Sequence, residues 1–225
     1  MLALNQKALL GLFALSLCIA GLLFAPAWTI HYWQAWVFLA VFFISVLAIT
    51  ISLMKRDPSL LERRIYAGPT AEKQLGQKKT QSVLQLAFLV IPALSAIDHR
   101  IGWSKVPVGV VALGDFLVVL GLFIVFLVFR ENTFTSAIID IYAGQKVIST
   151  GPYAIVRHPM YAGVLLMLIG EPLALGSSWA LLAVIPLMLG IVWRLIQEEQ
   201  FLLTNLPGYV DYRGRVRYRL VPLVW

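Results

Sequence analysis

The chain has 225 residues, 60% of them hydrophobic and 13% charged, with a formal net charge of +7. A soluble domain carries about 25% charged residues, so this balance, with a mean hydropathy of +0.84, excludes a water-soluble globule and predicts an integral membrane protein. No ten-residue alternation supports a barrel, so the predicted fold class is all-α: a polytopic bundle of about six spans.

A first apolar run covers residues 8–25. Lys7 precedes it, and Ala25-Pro26-Ala27 resembles a cleavage site, but the run is long and Pro disfavours cleavage, so a retained helix is expected. The single cysteine, Cys18, lies in this run. It excludes an intrachain disulfide and is expected to be a small buried hydrophobe. A second span runs over 32–54, with Trp28, Tyr32, Trp33 and Trp36 gathered at its start as an aromatic belt. Residues 55–81 read as a basic solvated loop in which Leu60, Leu61 and Ile65 can lay a short amphipathic piece on the membrane surface. A third span covers 83–97 and a fourth 107–129. In the mixed stretch that follows, Phe134, Ile138, Ile139 and Tyr142 recur at helical spacing, and Ala143-Gly144-Gln145 reads as a turn.

Residues 159–175 and 179–196 form the last two spans, joined at Gly176-Ser177-Ser178. So short a joint dictates an antiparallel hairpin with cytosolic ends. The chain divides accordingly into four N-terminal spans, 1–129, and a C-terminal region, 130–225, with a basic tail. Of the 18 lysines and arginines, only Arg100 and Lys105 fall on the far side of this topology. The positive-inside rule therefore places both termini in the cytoplasm. Basic loops in such a protein match anionic headgroups, so membrane lipids are expected as partners and nucleic acid is not. No Cys/His cluster has metal-ligand spacing, so no metal is expected.

Polar, chemically capable side chains crowd into 151–163. Tyr153, Arg157, His158 and Tyr161 stand there between Pro152 and Pro159. Pro159 suits the first turn of a helix, which puts His158 at a helix entrance, where free N–H groups and the dipole favour an anion. A basic turn at the membrane surface is the competing reading. Arg194 and Glu198, four apart, share a helix face, as an ion pair or as a pocket wall; Glu199 lies off that face. The hairpin brings both groups to one membrane face. Asp115 and Glu171 lie inside apolar spans with no evident partner, Glu171 beside the kink-forming Pro172.

Gly151-Pro152-Tyr153, then Arg157-His158-Pro159-Met160-Tyr161, then Glu198-Glu199-Gln200-Phe201-Leu202, then Tyr209 and Tyr212 ahead of the basic tail, resemble the isoprenylcysteine carboxyl methyltransferase family. This is the broader group of integral-membrane methyltransferases that includes phospholipid N-methyltransferases, here in a bacterial-type form. The resemblance covers roughly residues 130–225. It implies S-adenosylmethionine as cofactor, held by Tyr153, His158, Pro159, Met160, Tyr161 and Glu198, with backbone contacts from 145–148. It implies catalytic roles for Arg194, which holds the acceptor, and for His158. The implied acceptor is lipophilic or lipid-linked, with O-methyl transfer to a carboxylate favoured over S- or N-methyl transfer. The chain departs from the family at Val216-Arg217-Tyr218-Arg219, where members carry Val-Pro, and in its short acidic run. An NADPH-dependent reductase of the steroid type and a non-catalytic lipid-binding protein are the alternatives. The oligomeric state is open.

Overall fold

A computed structural model describes residues 3–66, 75–135 and 144–225. The element order is α1 (Leu4–Ala27), α2 (Trp33–Arg56), α3 (Pro58–Ile65), α4 (Leu75–Ile101), α5 (Val108–Glu131), a 3-10 turn (Gly151–Ala154), α6 (Pro159–Ala174), α7 (Leu181–Asn205) and α8 (Tyr209–Arg215). Among the described residues there is no strand. The all-α expectation holds, but the count of about six spans holds only roughly. α1, α2, α5 and α7 are long and apolar enough to cross a membrane. α6 has 16 residues, about 24 Å at 1.5 Å per residue, short of a hydrocarbon core of about 30 Å. α4 begins in polar residues well ahead of the run expected at 83–97.

The membrane helices carry large apolar side chains outward, such as Phe13, Phe116 and Leu189. Cys18 is also on this outer surface and is not the buried residue expected from its sequence context. A lipid-facing helix has no reason to hide an apolar side chain. Inside, α1, α2, α4, α5 and the end of α6 share one core that includes Ile19, Leu23, Phe38, Phe42, Val118 and Leu175. Ile91, Leu168, Val184, Leu187 and Ile191 form a second between α4, α6 and α7.

The tightest joint is between α5 and α6. A Cβ added to Gly121 would stand 2.4 Å from the Gly163 carbonyl oxygen, and one on Gly114 2.2 Å from the Ala174 nitrogen. Gly163 and Gly170 meet the facing backbone in the same way. Both glycine pairs are spaced by seven, so they line one face of each helix and let the two backbones touch. This contact fixes α6, and with it the helix entrance at His158, against the rest of the bundle.

Two expectations from the N-terminal half change. Tyr32 is buried and is not part of an aromatic belt. Its hydroxyl donates to the Leu175 carbonyl at 2.6 Å and its ring stacks on His99 at 3.9 Å. Trp28, Trp33 and Trp36 are exposed as a belt requires. α3 exists, but Leu60 and Leu61 are buried against α1 and α2 rather than laid on a membrane surface. Asp57 caps it by accepting from Leu60 N–H at 2.9 Å, with Pro58 in the first turn.

The α4 end and the α6–α7 turn form the end of the bundle away from His158. There Asp98 accepts from Ser104 N–H at 2.8 Å and from the Ser104 hydroxyl at 2.6 Å, and Ser177 also donates to it. Glu171 is fully buried one turn before this end, and both of its carboxyl oxygens lack a partner among the described residues. The same holds for Asp115 Oδ1.

Candidate active site at one end of the bundle

Pro159 stands in the first turn of α6 with His158 as its N-cap, as the sequence predicts. The residues ahead of it are tied down by the tail. Arg157 N–H donates to the Tyr218 carbonyl and His158 N–H to the Arg219 carbonyl, each at 2.9 Å. The Arg157 side chain turns inward. Its Nη1 donates to the carbonyls of Val216 and Arg217, each at 2.7 Å, and its Nε to Glu199 Oε1 at 2.6 Å. Arg219 Nε holds the other oxygen of Glu199 at 2.7 Å. Arg157 thereby ties the tail to the α6 entrance through Nε and Nη1, and it also borders the cleft above. The tail's departure from the family pattern at residues 216–219 is accommodated because the entrance is held mainly by backbone carbonyls, which any residue supplies.

Glu199 is the residue that sequence reasoning missed. It lies off the Arg194–Glu198 face and is buried between two arginines. The available signal was Arg157 itself: a cation next to a helix entrance in an apolar chain needs an anion, and the chain has 11 acidic residues from which to find one.

Above this clamp lies a cleft with about 870 Å³ of space, open solvent at its mouth included. Tyr153, His158, Pro159, Met160, Tyr161 and Glu198 all line it, so every residue that the resemblance marks for a cofactor faces one cavity. Residues 145–148 line it as well, with Asn132, Phe134, Tyr209 and Tyr212. Of the helical pattern expected after residue 130, Ile138, Ile139 and Tyr142 lie outside the described residues; Gly144 is in a turn with φ +75°.

Three tyrosines are fixed around the cleft. Tyr153 Oη accepts from Asn132 Nδ2 at 3.1 Å, and Tyr212 Oη donates to the Tyr153 carbonyl at 2.8 Å. Tyr161 Oη donates to Glu198 Oε2 at 2.6 Å. Arg194 is buried one turn back along α7, outside the cleft lining, and bears on the same Tyr161 hydroxyl. Burial pushes the phenols of Tyr153 and Tyr209 above their ordinary range and that of Tyr212 up to about 12, so all three stay protonated. Burial also holds His158 below the ordinary imidazole value. Glu198 and Glu199 pull it upward, while Arg157 and Arg219 reinforce the depression. The ring is neutral at pH 7.

Two buried polar atoms of the lining, His158 Nε2 and Tyr209 Oη, have no hydrogen-bond partner among the described residues. Such atoms are costly to bury unless something else completes them. Across the 151–159 segment lies a second, apolar cavity with about 1700 Å³ of space, again with its open mouth included, along α6, lined by Leu127, Ile155, Ala162, Leu166 and Val221 among others. Pro159 lines both cavities.

A helical membrane bundle with a polar cleft at one end and an apolar groove behind it defines the class. Residues 110–206 match the model of the phospholipid methyltransferase family. The match starts within α5, earlier than the resemblance read from the sequence, and takes in the hairpin with Tyr153, His158, Tyr161, Arg194 and Glu198. A comparison with curated proteins finds no match.

Proposed function

We propose that the chain is an integral-membrane methyltransferase that takes S-adenosylmethionine in the cleft and methylates a lipophilic acceptor. The observation that carries this reading is the pairing of an acidic wall, Glu198, with two unpartnered buried polar atoms, His158 Nε2 and Tyr209 Oη, in a single cleft formed mostly by the matched region and closed by the tail after it. The donor set fits the cofactor: Glu198 can pair with a cationic group, and the α6 entrance with its free N–H groups can take a carboxylate. Bound there, S-adenosylmethionine supplies a methyl group on a sulfonium.

The protein's part is alignment and exclusion of water. Glu198, oriented by Tyr161 and by Arg194 behind it, fixes one end of the cleft, and the tail clamp fixes the other. A carboxylate or thiolate acceptor is already a nucleophile and needs no base. An amine acceptor must lose a proton, and His158, neutral and with Nε2 unpartnered, is the group placed to take it. Labelled-methyl transfer to amine-headed phospholipids, beside prenylated and fatty acids, separates N- from O-methylation. On this reading residues 130–225 form the methyltransferase region, its basic end faces the cytoplasm of a bacterial cell, and the acceptor arrives from the bilayer.

The test is calorimetric binding of S-adenosylhomocysteine to detergent-purified protein, wild type beside Glu198→Ala. Micromolar binding that weakens at least tenfold in the variant is expected. Equal affinity in the variant removes Glu198 from the site. No binding by folded wild type in lipid nanodiscs refutes the reading, and NADPH binding under the same conditions replaces it with a reductase.

A further inference from the structure

Arg64 stands at the C-terminal end of α3, outside the region matched by the family. Its helix is fastened to the site wall. Asp57 accepts from the Thr133 hydroxyl, and Arg63 donates to the Thr133 carbonyl, one residue from the Asn132 that holds Tyr153. This delivers the Arg64 guanidinium, half-buried, to the back of Met160, a residue of the cleft wall. It lies over the Phe129 ring at 4.6 Å, and Nη2 points at Met160 Sδ at 3.7 Å.

What is missing is an anion. Among the described residues no carboxylate pairs with Arg64, in contrast to Arg157 and Arg219, which share Glu199. A guanidinium stacked on an aromatic face has its plane fixed and its N–H edge free. That edge holds five strong donors, and here it meets a thioether, which is a weak acceptor. Phosphate and carboxylate oxygens are the groups whose geometry this fork matches. Burial lowers its pKa to about 10, which leaves it fully charged at neutral pH and in need of a counter-ion.

We propose that Arg64 is an anion subsite for the headgroup of the lipophilic acceptor, phosphate or carboxylate, on the α3 side of the cleft. This rests on the methyltransferase reading and adds to it that the N-terminal helices contribute to acceptor recognition.

The test uses the full chain in an uncharged detergent. Dodecyl phosphate, dodecanol and inorganic phosphate are the probes, read by calorimetry. Wild type is expected to bind dodecyl phosphate at least tenfold tighter than dodecanol. In Arg64→Gln the two amphiphiles come within twofold of each other, while affinity for S-adenosylhomocysteine stays within threefold of wild type. Arg64→Lys, which keeps the charge and loses the fork, falls between. A second measurement needs no variant: phenylglyoxal modification of Arg64 in wild type, read by peptide mass, is expected to be blocked by dodecyl phosphate and not by dodecanol. An unchanged preference in Arg64→Gln, or no protection of wild type, overturns the subsite. Inorganic phosphate protecting at the same concentration as dodecyl phosphate overturns the lipid headgroup in favour of the free ion. Failure of wild type to bind S-adenosylhomocysteine refutes the methyltransferase reading, and the amphiphile result for Arg64 is read independently of it.

Discussion

The two ends of the bundle handle a carboxylate in opposite ways. At the far end Asp98 takes three donors from Ser104 and Ser177, all supplied by the short segments it ties together. At the cleft end the carboxylates divide the work: Glu199 is clamped between Arg157 and Arg219, while Glu198, next in sequence, faces a cavity. The far end is not wholly paired, since Gln34 Oε1 and Ser95 Oγ are buried there without partners among the described residues. The contrast lies in the acids. A carboxylate whose donors all come from its own fold is a fastener, and one that borders open space beside unpartnered polar atoms keeps acceptor capacity in reserve. Removing each should therefore cost different things.

Glu199→Ala should have the largest effect on stability. It leaves two arginines, one fully buried, without their anion, and breaking such a pair costs about 3–5 kcal/mol. The expected outcome is a lowered Tm in detergent and rapid proteolysis of the tail after residue 215. Asp98→Ala should cost about 1–3 kcal/mol, the scale of burying hydrogen-bonding groups left unpaired, with affinity for S-adenosylhomocysteine within twofold of wild type. A loss of that affinity in Asp98→Ala erases the contrast between the ends.

His158 supplies a pH test. Burial depresses its folded-state pKa, so the unfolded chain takes up a proton first as the pH falls. Stability conferred by the neutral ring is complete above the unfolded value of about 6.5 and is lost as the pH drops through it. The Tm should fall between pH 7.5 and 5.5, and His158→Gln should lose part of that slope; an identical slope removes His158 as its source. The smallest effect is expected from Tyr212→Phe, which deletes one hydrogen bond to the Tyr153 carbonyl and should cost about 1 kcal/mol by thermal melting.

Much of the cleft end was legible in the chain. Pro159 marked the helix start, the short joint at Gly176-Ser177-Ser178 forced the hairpin, and together they dictated that His158 and Glu198 share a face. What could not be read was which side chains fold inward. Arg157 and His158 are neighbours that both border the cleft, yet Arg157 is bonded to Glu199 and the tail while His158 keeps an unpartnered nitrogen. Hydropathy likewise could not separate lipid-facing from core-facing residues. Cys18 and Tyr32 were both misjudged for that reason, because in a bilayer the outside is as apolar as the inside. The α5–α6 joint left its trace only as glycines seven apart, and its meaning depends on where the two helices cross.

Pro159 lines the polar cleft with one side and the apolar groove with the other. At this residue a wall one residue thick therefore separates a polar cleft from an apolar groove. Two solutes that share no solvent can each stay dissolved in their own phase and still be brought within a ring's width of each other. Thickening or thinning that partition, rather than altering either cavity, is the shortest route to changing which pairs of molecules can meet.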